Sequence, residues 1–273
     1  MTSAAESLEL ANIVFYAMAV LPAIYCFIQH GKHGIVGWLY VILMCGLRLA
    51  GNGISYHAIS TTGKPNTAAS IIVGIGLSPL LFSALGILHE SNTSIQSVLS
   101  PFLGWAGMLI PHLVIGAGIG LAAASGNNLN LLKVGMIILA MGWLMITGMI
   151  VLSFKAKAHR GRLPGERKLL LALAIAILFI GVRVVYAIVT AFRYGFSSRA
   201  SMPVQVIFGT LPEFLVMSIY LSAGIVTRNL PRDRMEKSRV TDNTAYTSVS
   251  DPSYGTTYYS VAPPPQVTGH TNV

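Results

Sequence analysis

Apolar residues run along this chain in stretches of about twenty, and short polar clusters separate the stretches. At about 1.5 Å rise per residue, such a run matches the roughly 30 Å hydrocarbon core of a bilayer. The pattern predicts helices near 8–29, 35–59, 67–89, 98–124, 134–154, 169–192 and 204–227. The connecting segments QHGKHG, STTGKPN, HESNTSIQS and SGNNLNLLK are short, and only KAKAHRGRLPGERK and RYGFSSRASMP are longer. None has room for an extramembrane domain. The expected fold is therefore all-α, one polytopic seven-transmembrane-helix bundle over residues 1–228.

Beyond the last run the pattern stops. After Arg239 the chain reads VTDNTAYTSVSDPSYGTTYYSVAPPPQVTGHTNV, polar and rich in Ser, Thr, Tyr and Pro. Such a segment buries too little apolar surface to offset its ordering entropy. Residues 229–273 are expected to form a disordered cytoplasmic tail. Tyr246, Tyr254, Tyr258 and Tyr259 are candidate phosphorylation sites, and PPP is a candidate ligand for a cytoplasmic partner. The competing reading is a tail that only solubilises.

Composition agrees with the pattern. Hydrophobic residues make up 53% of the chain and charged residues 10%, against roughly a quarter charged in a soluble domain. The expected location is integral to the plasma membrane or another secretory-pathway membrane, with lipids as the first partners. Cys26 and Cys45 both lie in apolar runs and offer no disulfide framework or zinc motif.

Lys and Arg set the expected orientation, since cytoplasmic loops carry their excess. With the N-terminus outside, the cytoplasmic segments hold twelve: Lys32, six between Lys155 and Lys168, and five from Arg228 to Arg239. The opposite side holds four, Lys64, Lys133, Arg193 and Arg199. Glu6 and Glu9 before the first run are the reverse of a cleavable signal's basic start. The net charge of +9 then forms a collar facing anionic headgroups. It does not point to nucleic acid, because the basic residues lie at membrane edges without interleaved aromatics.

Three charged residues fall well inside the expected helices: Arg48, Arg183 and Glu213. Counted from the expected cytoplasmic ends at about 1.5 Å per residue, they lie roughly 20, 21 and 21 Å deep, and His112 comes out near 21 Å. Asn52, Tyr186 and Tyr220 follow Arg48, Arg183 and Glu213 at spacings of four, three and seven, which return to the same helix face. Pro212 cannot donate to the carbonyl of Phe208 and favours a kink beside Glu213. A carboxylate in a membrane span needs compensation, so Glu213 is expected to pair with Arg48 or Arg183, leaving the other guanidinium to find another acceptor. Two readings stand. One is a buried ionic lock fixing helices two, six and seven, and the other is a site whose surplus positive charge holds a carboxylate or phosphate.

Other motifs carry less. GIGLSP (Gly74 to Pro79) and GAGIG (Gly116 to Gly120) lie inside apolar spans with no strand before them, so Ser70/Gly74 and Gly116/Gly120 read as close helix-packing pairs rather than phosphate loops. The sequon Asn92-Thr93-Ser94 falls in an expected cytoplasmic loop and reads as a chance match. His89-Glu90 reads as interfacial, and His30 and His33 around Lys32 lack further metal ligands. One mid-depth histidine is too few for an intramembrane zinc hydrolase, one deep carboxylate is thin for a terpene cyclase, and the last run has no lysine for a retinal Schiff base. GxSxG and HExxH are absent. No cofactor, no metal and no enzymatic activity are expected.

The stretches HGKHGIVGWLYVILMCGLRLAGN (30–52), IGLSPLLFSALGIL (75–88), GVRVVYAIVTAF (181–192) and LPEFLVMSIYLSAGI (211–225) resemble a filamentous-fungal family of seven-helix integral membrane proteins whose domain is of unknown function. The resemblance covers roughly residues 8–228, with the HG…GW…LR…G and IGLSPLL blocks its most specific parts. The architecture is also similar, more weakly, to fungal lipid-translocating and drug-resistance seven-helix proteins. Neither resemblance implies an established mechanism. Two functions remain: a receptor-like sensor of a small anionic or amphipathic ligand, reporting through the tail and third cytoplasmic loop, or a lipid or small-molecule transporter. The tail and loop favour the sensor. No sign of an inverted repeat is visible, and such repeats are common in transporters.

Overall fold

The structure is a computed structural model that describes residues 4–63, 76–98, 105–125, 128–156, 161–193 and 201–248. All the regular structure among them is helical. The chain divides into two compact units, Met1–Arg234 and Met235–Val273.

Helix α1 spans Ala4–Thr62 and is broken at Gly31, whose φ of 57° and ψ of −151° interrupt the helical path. Glycine adopts a positive φ at no steric cost because it lacks Cβ. The expected loop QHGKHG thus collapses to a one-residue break, and the arms 4–30 and 32–62 fold back on each other. Ser55 donates to Glu9 at 2.8 Å, while near the break the rings of His30 and Trp38 lie 4.7 Å apart.

Helix α2 (Leu77–Asn92) continues into a 3-10 segment, Thr93–Val98. Helix α3 is Trp105–Ala124 and α4 is Leu129–Lys155. The latter starts five residues before the expected 134, because the Asn128 side chain caps it by accepting from the backbone N–H groups of Asn130 and Leu131. Such a cap satisfies donors that no intrahelical carbonyl reaches. Helix α5 (Pro164–Arg193) opens on a proline, whose missing N–H is no loss in a first turn. Helix α6 (Leu211–Val226) is preceded by a helical turn, Met202–Val204, and a π-helical segment, Gln205–Thr210.

Helix α7 runs over Leu230–Ser248, where a disordered tail from 229 is expected from composition. Arg232/Glu236 and Asp233/Lys237 stand at the i,i+4 spacing that supports a helix surface, and Leu230 is buried. Of the four tail tyrosines, Tyr254, Tyr258 and Tyr259 and the PPP motif lie outside the described residues, as do Ser70 and Gly74.

Five helical stretches are long and apolar enough to cross a membrane: Ala4–Thr62, Gly107–Ala124, Leu129–Lys155, Pro164–Arg193 and Met202–Val226. Within the first unit, α2 packs against α1 and α5, α3 against α4, and α6 against α1 and α5. Helix α2 is buried along almost its whole length. The core around it includes Tyr16, Trp38, Met44, Leu81, Leu85, Leu173, Ile177, Met217 and Tyr220. Large apolar side chains also face outward, as Met18, Leu21, Ile28, Leu113 and Leu178 do at 63–70% exposure. An apolar exterior on that scale marks a surface built for another apolar phase.

The GAGIG stretch packs through a different residue from the pair expected. Side chains added at Gly116 or Gly120 would meet nothing within 4 Å, whereas a Cβ at Gly118 would lie 3.0 Å from the carbonyl oxygen of Gly135 on α4. Two residues along a helix turn by about 200°, so Gly118 occupies the packed face and its neighbours do not.

Candidate functional site: two buried ionic clusters

The first cluster lies between α1, α5 and α6. The Arg48 Nη2 group donates directly to Glu213 Oε1, and Arg183 Nε stands 3.6 Å from the same oxygen. The three side chains are 3–9% exposed. One carboxylate therefore serves both arginines.

Local backbone explains how Glu213 gets there. Pro212 has no N–H, and the preceding turn widens to π geometry, with the N–H of Leu211 bonding to Val206. A π turn shifts the following residues around the axis, and such turns occur often at functional sites. On the α1 side the guanidinium packs flat against Gly76, where a Cβ would come within 3.1 Å of Arg48 Cζ.

Several further donors are unmet. Arg48 Nε, Arg183 Nε, Asn52 Nδ2 and the Tyr16 hydroxyl are buried and make no hydrogen bond. Asn52 is 2% exposed. The Tyr186 ring stands 5.5 Å from the Arg183 guanidinium carbon, a cation–π distance. Tyr220 is buried two turns beyond Glu213, and its hydroxyl makes no hydrogen bond. His112 stays apart from this cluster: Nδ1 donates to the carbonyl of Met108 in its own helix at 2.8 Å, and the ring stacks on Phe82. The common depth inferred from the sequence fixes height along the bundle but not direction around it.

The arms of α1 extend this polar region. Glu9 is 5% exposed and accepts from Ser55, seven residues or about 10 Å along the helix from Arg48. Sequence inspection leaves Glu9 outside the deep group because it precedes the apolar run.

A second cluster gathers where the break in α1 meets α2, α5, α6 and α7. His30 Nδ1 lies 2.6 Å from Glu90 Oε1, and its Nε2 lies 2.9 Å from the carbonyl oxygen of Gly224. Trp38 Nε1 donates to Glu90 Oε2 at 3.1 Å. Arg234 donates through Nε to Glu166 Oε1 at 3.0 Å and through Nη2 to the backbone carbonyl of Glu90 at 2.6 Å, with Nη1 3.8 Å from Glu90 Oε1. The backbone N–H and hydroxyl of Ser94 also donate to Glu166 Oε1. His30, Glu90 and Glu166 are wholly buried. Gly224 permits the approach, since a Cβ there would overlap Trp38 at 2.2 Å.

Glu90 is thus a core residue rather than the interfacial one that its position at the end of an apolar run suggests. His30 likewise lies in a helix and is buried, rather than in the short loop expected for it. Asn92 is buried as well, its Oδ1 accepting from Ser153 Oγ at 2.7 Å and from Arg162. A side chain so enclosed is no glycan acceptor in the folded protein. Burial pushes Arg162 down from the ordinary arginine value, while the nearby Glu166 pulls it up. No group of three or more metal-ligating side chains occurs among the described residues.

Long apolar helices, an apolar exterior and polar groups gathered inside fit an integral membrane protein of the polytopic α-helical class. The chain belongs to the family described as a domain of unknown function, DUF7702, whose match covers residues 3–230. No curated protein and no solved structure matches it.

Proposed function

We propose that the protein is a seven-crossing membrane sensor whose Arg48–Glu213–Arg183 cluster receives the anionic group of a small anionic or amphipathic ligand. The arms of α1 supply two crossings and α2 a third. The N-terminus lies outside, and the basic loop and C-terminal segment lie in the cytoplasm. The observation that carries this reading is the mismatch in the first cluster. Two guanidiniums share one carboxylate, and three of the four unmet groups beside them are N–H donors. Buried donors call for an acceptor, and a carboxylate or phosphate supplies both acceptor oxygens and the balancing charge. A second reading, a lipid or small-molecule transporter, draws on the π-helical segment beside Glu213, because discontinuous helices frame substrate sites in many transporters.

Thermal unfolding of the purified protein tests the site with short amphiphiles of matched chain length. Alkyl carboxylate and alkyl phosphate should raise the melting temperature, and Arg183→Met should abolish that rise. Equal protection by a neutral or alkylammonium amphiphile would sink the anion site. Flux of the protective probe across proteoliposome walls would decide for the transporter. Reporter fusions after Gly31, Arg160 and Val273 should read cytoplasmic, and one after Lys64 external.

A further inference from the structure

The second cluster contains a hydrogen that its ordinary ionisation states do not supply. The Gly224 carbonyl can only accept, so His30 Nε2 must carry a hydrogen to meet it at 2.9 Å. A contact of 2.6 Å between His30 Nδ1 and Glu90 Oε1 also needs a hydrogen between them. Glu90 Oε2 is occupied as an acceptor by Trp38. The pair therefore holds one proton more than neutral imidazole plus carboxylate, either as imidazolium with carboxylate or as imidazole with carboxylic acid.

Glu90 and Glu166 are wholly buried carboxyls, Arg234 is the cation that touches both, and the buried Arg162 interacts electrostatically with Glu166. The hydrogen count at His30, rather than the net charge, is what calls for the proton. Other facing groups are His89 on α2, which interacts electrostatically with Glu90, Arg234 and His33, and the Cys26 thiol on α1.

We propose that His30 and Glu90 form a proton-binding site that ties the break in α1 to α2 and α6. Losing the proton breaks one of the two contacts. If Nε2 keeps its hydrogen, two lone pairs oppose each other at Glu90; if Nδ1 takes it, two oppose each other at Gly224. In either case the residue beside Gly31 releases one neighbouring helix. This site is separate from the anion site proposed above, and its test uses no anionic probe, so either can fail alone.

The experiment is thermal unfolding of the full-length protein in detergent across pH, with nitrogen NMR of labelled histidine. Holding one proton that the unfolded histidine gives up makes stability fall as pH rises above about 6.5, with the unfolding constant growing by up to about tenfold per pH unit at the steepest. In Glu90→Gln the side-chain amide donates to His30 Nδ1 without any added proton, so that variant should stay folded and lose this pH dependence. His89→Gln and His33→Gln should keep it. The NMR should show one ring bearing hydrogen on both nitrogens, or one held in a very short hydrogen bond, and His30→Gln should remove that signal. Wild-type stability independent of pH, an unchanged profile in Glu90→Gln, failure of Glu90→Gln to fold, or an ordinary single-tautomer spectrum for His30 would each overturn the proposal.

Discussion

Arg48, Arg183 and Glu213 bring two guanidiniums to one carboxylate, whereas Glu90, Glu166 and Arg234 bring one guanidinium to two carboxylates. Each cluster has a minority charge that holds two residues of opposite sign. The surplus in the first is cationic and leaves N–H donors unmet. In the second it is anionic, and the buried Glu166 Oε2 makes no hydrogen bond. Among the directly paired groups the imbalances are opposite, although Glu9 also interacts with Arg48 and Arg162 with Glu166, and for that reason an anion is proposed at one cluster and a proton at the other.

The sharpest test of this contrast removes each minority charge. Glu213→Gln leaves two buried arginines facing each other and should cost about 3–5 kcal/mol, the range for breaking a buried pair. Arg48→Met or Arg183→Met leaves one opposite pair and should cost clearly less in the same denaturation assay. If Arg183→Met is as damaging as Glu213→Gln, the first cluster is not a shared-carboxylate arrangement.

Arg234→Met should rank next, at about 3 kcal/mol, because it removes the guanidinium that two buried carboxyls share. Glu166→Gln, which leaves Arg234 paired with Glu90, should be milder. The reverse order would place the stabilising partner of Arg234 elsewhere.

Gly76→Ala should cost about 1–3 kcal/mol, the usual penalty for overpacking, because its Cβ would press on the Arg48 guanidinium. The same change should weaken protection by the alkyl carboxylate while leaving pH dependence intact, which separates the clusters. The smallest effect is expected from truncation after Arg239, which keeps Arg234 and should leave the melting temperature unchanged. Truncation after Thr227 should cost more than Arg234→Met, because it also removes the buried Leu230. Equal losses from both truncations would assign a fold-stabilising role to residues beyond 239.

The first cluster was largely legible in the sequence and the second hardly at all. Arg48, Arg183 and Glu213 stand out because charge within a long apolar run is costly and conspicuous. Glu90, Glu166 and Arg234 sit at the ends of such runs, where charged residues are ordinarily solvated and raise no alarm. His30 falls in an apparent loop because the pattern alone does not show that the chain stays helical on both sides of Gly31. Depth groups His112 with the first cluster, whereas its side chain satisfies its own helix.

Run length and low charge by themselves determined an all-helical chain with spans suited to a bilayer, since both depend on local composition and the fixed rise of a helix. Tertiary structure decided which polar side chains meet. The direction of each side chain around its helix axis, the one-residue break at Gly31 and the π turn before Glu213 are set by packing between segments far apart in sequence. For that reason Glu213 serves two arginines rather than the single one expected, and His30 meets Glu90 across sixty residues.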